Sequence, residues 1–162
     1  MTDAVALPPA LTEVRTRHLV TVRLSVDPIF NLGMTPSGDR RVAVVTGGSV
    51  AGARLSGHVL PGGSDWIVNR PDGTSVLNVR LVIETDDKAL IGMTYVGVRH
   101  GPPEVMAALG RGEAVDPSAY YFRTTPSFET ASERYAWLNK LVAVGLGHRF
   151  PDGPLYNIFE VL

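Results

Sequence analysis

TSVLNVRLVIETDDKALIGMTYVGVR, residues 74–99, decides the fold. Both halves are rich in Val, Leu, Ile and Thr and alternate with a period of two, the signature of extended chain with two distinct faces. The Asp86-Asp87-Lys88 break between them predicts a β-hairpin with arms at 74–85 and 89–99. In the first arm Leu77, Val79, Leu81 and Ile83 share one face, and Asn78, Arg80, Val82 and Glu84 share the other. In the second, Ile91, Met93, Tyr95, Gly97 and Arg99 fall together. The alternation alone leaves open whether Asn78, Arg80, Tyr95 and Arg99 see solvent or an interior.

The same pattern continues outward. Residues 11–26 read as a half-buried strand with Val20, Val22, Leu24 and Val26 on one face, and Asp27-Pro28 and 33–38 read as loops. A second strand covers 41–53, with a bulge or close backbone approach at Gly47-Gly48. Short strands at 55–60 and 65–69 flank a turn at Pro61-Gly62-Gly63, and Pro71-Asp72-Gly73 is another turn. Residues 102–110 are the best helix, with Pro103 early, Glu104 in the first turn and Gly110 as C-terminal cap. Strand returns at 120–129, 140–150 and 155–162, and 131–140 fits either a helical turn or a strand. A tail at 1–10 followed by one domain at 11–162 is expected. Eight to ten short strands with one or two short helices predict an all-β antiparallel barrel, and without intervening long helices a parallel βαβ sheet does not fit. An eight-stranded barrel has room for one small ligand.

Composition narrows the function classes. The chain has 162 residues, 44% hydrophobic and 19% charged, with a net charge of -1, which carries no electrostatic footprint for nucleic acid. It has no cysteine, so thiolate chemistry and disulfides are excluded. The N-terminal residues lack a basic n-region, and no apolar run reaches the ~20 residues of a membrane helix. A cytoplasmic protein is expected. His18, His58, His100 and His148 have no ligand-like spacing, and no metal is predicted. The run VVTGGSVAGARLSG at 44–57 imitates a dinucleotide-binding glycine turn, but Ser49 stands at the second glycine position and no good helix follows.

Four places carry candidate chemistry. Asp65 beside Trp66, after a glycine turn, is either a turn aspartate or a pocket carboxylate; partial burial would raise its pKa toward neutrality. Asn78 and Arg80 pose the choice between solvent and lumen, as do Tyr95 and Arg99. Tyr121 and Arg123 share a strand face, and Trp137 and Asn139 alternate if extended. They are either core filling with satisfied polar tips or an aromatic-lined pocket.

The motifs GARLSGHVLPGGSDW (52–66), VLNVRLVIETDDKALIGMTYVG (76–97), YYFRTTPSFETASERYAWLN (120–139), VGLGHR (144–149) and LYNIFEVL (155–162) resemble the bacterial and fungal family called domain of unknown function 3237. The resemblance implies a compact antiparallel barrel without a cofactor and supplies no general activity. It points to Arg54, Asp65, Trp66, Arg80, Tyr95, Arg123, Trp137 and Asn139 as pocket positions. It also implies Asp where this chain has Asn78; if that carboxylate is a base in relatives, Asn78 can only position or hydrogen-bond here, and base chemistry moves to Asp65 or elsewhere. The expected function is small-molecule binding in the barrel by a cofactor-independent enzyme of cyclase, isomerase, hydratase or lyase type. Asp65 would move a proton, Arg80 or Arg123 would stabilise an oxyanion, and Tyr95 would donate a hydrogen bond; Arg54, Trp66, Asn78, Tyr121, Trp137 and Asn139 would bind the ligand. The alternatives are a non-catalytic binding protein and a structural module forming a homodimer or higher homo-oligomer.

Overall fold

A computed structural model describes residues 6–162, and in it the alternating runs become nine antiparallel strands. They are β1 (Thr16–Thr35), β2 (Gly38–Ala51), β3 (Gly57–Val59), β4 (Gly63–Asn69), β5 (Ser75–Thr85), β6 (Leu90–His100), β7 (Tyr121–Glu129), β8 (Ala143–Phe150) and β9 (Gly153–Val161), with helix α1 (Pro103–Gly110) after β6. Both β3 and β4 lie between β2 and β5. Val50, Ser49 and Gly48 pair with Gly57, His58 and Val59, and the ladder resumes with Val45 opposite Gly63. β3 and β4 are therefore one strand interrupted at Pro61-Gly62. Counted so, eight strands follow one another round a closed ring, and β9 pairs back onto β1. Closure removes the free sheet edges that an open sheet of this composition would expose.

β5 and the first half of β1 alternate as the sequence predicts. In β5 Leu77, Val79, Leu81 and Ile83 are buried, while Asn78, Arg80 and Val82 are exposed. In β1 Val20, Val22 and Leu24 are buried. The predicted bulge is present: Ser25 pairs with Gly47 and Val26 with Val45, leaving Thr46 as the extra residue. A Cβ on Gly48 would stand 2.2 Å from the Arg23 carbonyl oxygen, so only glycine admits that approach.

Three expectations are corrected. β1 does not end at Asp27-Pro28 but runs on to Thr35; the ladder with β2 is irregular between Val26 and Ile29, where a proline without an N–H is tolerated. Gly33 lies within β1, and the turn is confined to Pro36-Ser37. The left-handed glycine after α1 is Gly112, with φ 76°, and not Gly110. The ambiguous segment 131–140 is a 3-10 helix, Glu133–Lys140. Of the expected N-terminal tail, residues 1–5 lie outside the described residues, and Pro9–Leu11 forms an exposed 3-10 turn.

The two ends of the barrel differ. At one end the 3-10 helix inserts Tyr135 and Leu138 into a core with Leu19, Leu55, Ile83 and Ile91. The Tyr135 hydroxyl donates to Asp87 in the β5–β6 turn at 2.7 Å, and Arg54 bonds Glu160 at 2.7 Å while lying 4.3 Å from the Trp137 ring centre. At the other end α1 covers only part of the opening, with Leu109 buried and Met106 half-buried. Leu138 is 1% exposed. Leu138→Ala is expected to lower the unfolding free energy by ~2–5 kcal/mol in urea denaturation, the usual cost of a cavity at a packed core position. An unchanged midpoint would mean that this helix does not close the barrel.

Candidate functional site

Inward phase brings a polar group to the partly open half of the barrel. Asp65 on β4 points in, 8% exposed, between inward Gly63 and Ile67. Its carboxylate accepts the backbone N–H of Asn78 at 3.1 Å. Burial raises its pKa from an ordinary 3.8 to about 6, against the lowering effects of that hydrogen bond and of the Arg99 and Arg149 charges. Tyr95 on β6 and Tyr156 on β9 are almost fully buried, with ring centres 4.9 Å apart in an edge-to-face arrangement. Burial first, then neighbouring negative charge or phenol, pushes both hydroxyls up, so both stay protonated donors at neutral pH.

Two turns of the alternation further along, the same inward faces supply Arg99 from β6 and Arg149 from β8. Burial and then the Arg149 charge pull the Arg99 pKa down. The Arg99 guanidinium lies 5.4 Å from the Phe122 ring centre. Gly147 makes room for that ring, since a Cβ there would lie 2.7 Å from it. Arg149 is held through its backbone: its N–H donates to the Tyr120 hydroxyl at 2.8 Å, which also bonds His148 Nδ1 at 2.8 Å.

These groups surround a cavity of ≈ 20 Å³, about the space of one water. Ile29, Ile67, Arg99 and Arg149 line both this cavity and a wider vestibule of ≈ 350 Å³ under α1, which adds Arg41, Asn69, Met106 and Leu109. The vestibule has space for a small organic molecule, and Arg99 and Arg149 stand between it and the smaller cavity that Asp65 lines. Among the described residues no group of three or more His, Asp or Glu side chains is placed to hold a metal, and no helix is long and apolar enough to cross a membrane.

The ten residues singled out in the sequence fall in four separate places. Asp65 and Tyr95 are inside. Arg80, Asn78 and Trp66 are exposed and line a shallow outer groove with Ser64, which accepts the Trp66 indole N–H at 3.2 Å. Tyr121 and Arg123 are exposed on β7, where Arg123 lies 4.8 Å from the Tyr121 ring centre and donates to the Phe122 carbonyl at 2.9 Å. Arg54 and Trp137 stack at the closed end. Asn139 clips the chain there, accepting the Thr130 N–H at 2.8 Å and donating to the Thr130 carbonyl at 2.9 Å. The expected convergence of Asp65, Arg80, Tyr95 and Arg123 is thus corrected. Arg80 and Arg123 are in phase with the outward faces, because Val79, Leu81, Phe122 and Thr124 take the inward ones. Trp137 and Asn139 do not alternate, because their segment is helical.

Arg149 and Tyr156 were not in that set, and Arg99, posed with Tyr95 as facing either solvent or lumen, was given no role. Arg99 shares its face with Ile91, Met93 and Tyr95, a signal that was visible. Arg149 follows Gly145 and Gly147 on β8, whose outward residues Val144 and Leu146 are the apolar ones, so hydrophobicity gives the wrong phase there.

The family model described as "Protein of unknown function (DUF3237)" matches residues 14–161. The chain belongs to this DUF3237 family. A UPF0311 protein of Rhodopseudomonas palustris is 37% identical over 149 residues, covering 92% of this chain and 97% of that one. The crystal structure of a Rhodopseudomonas palustris conserved protein of unknown function, also 37% identical, superposes with a TM-score of 0.88 over 93% of this chain and 98% of its own. A beta-barrel like protein from Acinetobacter baumannii AYE is 35% identical, with a TM-score of 0.82 over 98% of this chain and 100% of its own. An enzyme from Penicillium herquei, 22% identical, shares the fold with a TM-score of 0.72 over 96% of this chain and 100% of its own.

In this DUF3237 barrel a buried Asp65 with a raised pKa makes folding pH-dependent in a defined direction. The folded state holds the proton up to about pH 6 while the unfolded carboxyl releases it near 3.8, so this contribution to stability is present at low pH and is lost as pH rises through that window. Asp65→Asn is expected to be more stable than the wild type at pH 8, by up to about 3 kcal/mol, with the gap closing below pH ~4. Urea unfolding at the two pH values checks it; a gap that grows at low pH would contradict the burial of an ionisable carboxyl.

Proposed function

We propose that the barrel is an acid–base enzyme for a small organic molecule, working with its own side chains. Asp65 takes a proton from carbon or oxygen, and Arg99 and Arg149 stabilise the enolate or other oxyanion that forms. Tyr95 and Tyr156 act as neutral hydrogen-bond donors within the pocket. The single observation supporting this reading is a carboxyl poised at about 6 in a water-sized cavity that shares Arg99 and Arg149 with a wider vestibule. A base near the working pH combines a useful ionised fraction with proton affinity, and preorganised guanidinium groups favour charge where it develops. Isomerisation, cyclisation, hydration and elimination all begin with such a proton transfer. At 22% identity the likeness to the Penicillium herquei enzyme carries the fold and not an activity, so the reading rests on this chain's own residues.

Solvent-deuterium exchange tests it without the physiological substrate. A panel of small enolisable ketones and keto acids is incubated with the protein in D2O and followed by proton NMR. Exchange at the carbon next to the carbonyl is expected to be catalysed, with a rate that rises with pH through about 6. Asp65→Asn is expected to lose about 10²–10⁴-fold, the usual contribution of a positioned acid or base. Arg80→Met, on the outer face, is expected to exchange like the wild type. Equal exchange by wild type and Asp65→Asn would remove Asp65 from the role. Compounds that bind but never exchange would favour a non-catalytic binding protein.

A further inference from the structure

We infer that Arg99 and Arg149 form a subsite for the carboxylate of a small organic acid with an apolar body. The inference rests on the reading of the vestibule as the ligand pocket, and it adds the class of molecule.

Three observations meet here. First, the Nε atoms of both arginines are buried and have no hydrogen-bond partner among the described residues. A buried N–H of a charged group left unpaired is costly, and the cost disappears when an anion accepts from it. Second, among the described residues neither arginine is in an ion pair, a state that Arg70, Arg80 and Arg123 hold in exposed positions. The acid nearest the pair in charge is Asp65, so the pocket carries one surplus positive charge with Asp65 ionised and two with it protonated. Third, Ile29, Ile67, Met106 and Leu109 give the walls around the arginines an apolar part, beside the polar Arg41, Asn69 and Ser75.

These features select a ligand. Guanidinium groups present planar forks that match the two oxygens of a carboxylate. A single delocalised negative charge suits the surplus. A phosphate would bring more charge toward the Asp65 carboxyl and no apolar body for the walls. The ionised Asp65 repels the anion. Among the described residues the other ionisable groups lining its cavity are Arg99, Arg149, Tyr95 and Tyr156, the two phenols held protonated by burial. Tyr120 and His148 lie behind Arg149, with burial lowering the His148 pKa, and the Arg41–Asp39 pair stands at the vestibule. Anion affinity is therefore expected to fall as pH rises through the Asp65 titration, and by linkage a bound anion favours protonated Asp65.

The test uses the full chain with benzoate, benzamide and inorganic phosphate, followed by calorimetry and by the arginine Nε–H signals in nitrogen-15 NMR. Benzoate is expected to bind and to shift the Arg99 and Arg149 signals; benzamide, of the same shape without the charge, is expected to bind at least tenfold more weakly, in the range set by one charged hydrogen-bonded pair. Arg99→Gln and Arg149→Gln are each expected to weaken benzoate about tenfold or more, with the corresponding lysine variants between them and the wild type. Near-UV circular dichroism verifies that each variant is folded, and the benzamide comparison needs no variant. Asp65→Asn is expected to bind benzoate at least as tightly and to lose the pH dependence, whether or not Asp65 is a base. Failure of proton exchange thus leaves this result standing. Equal binding of benzoate and benzamide, no benzoate binding at tens of millimolar, glutamine variants that bind like the wild type, or phosphate displacing benzoate at equal concentration would each overturn the assignment.

Discussion

A closed β-ring forces every strand residue to choose between the interior and water, and the rest of this structure follows from that constraint. Closure makes the choice collective, since one inward residue fixes the phase of its strand until a bulge resets it. In β6 the inward Ile91 and Met93 commit Tyr95 and Arg99 to the interior. In β4 the inward Ile67 does the same for Asp65. Half of the lumen is filled with aliphatic side chains and sealed by the 133–140 helix. The polar members of the same faces therefore gather in the other half, where α1 leaves an opening.

That gathering sets the chemistry. Taking a carboxyl out of water favours its neutral form, while the Asn78 N–H first and then the two guanidinium groups draw it back toward ionisation. The compromise puts Asp65 near neutrality. A surface aspartate with the same neighbours would be fully ionised, and a buried one without them would be locked in its protonated form. The arginines stop short of ion pairing with Asp65, which keeps their buried N–H groups available to a ligand. The site is thus held at some expense in stability, as expected where a fold keeps unpaired charge in its interior.

Most of the architecture was legible in the sequence because strand phase is written in alternating side chains. The 74–99 hairpin, the bulge at Gly47-Gly48 and the inward faces of β1 and β5 needed nothing else. Pro28 misled because proline is normally excluded from a central ladder, and only the irregularity opposite β2 makes room for it. The site was half legible. Asp65 and Tyr95 were found by residue type, but Arg80 and Arg123 were chosen for their chemistry against the phase of their own strands. Arg149 was hidden for a different reason. On β8 glycines face the crowded interior beside Phe122 and Thr124, while Val144 and Leu146 face outward, so the usual hydrophobic rule points the wrong way.

The central claim is that Asp65 is a buried carboxyl held at about 6 by burial on one side and the Asn78 N–H and guanidinium charge on the other. Carbon-13 NMR titration of its side-chain carboxyl measures this directly. The account predicts a midpoint near 6 in the wild type, moving higher in Arg99→Gln as one opposing charge is removed. A midpoint at the ordinary 3.8, insensitive to Arg99, would show a hydrated carboxylate and contradict the account.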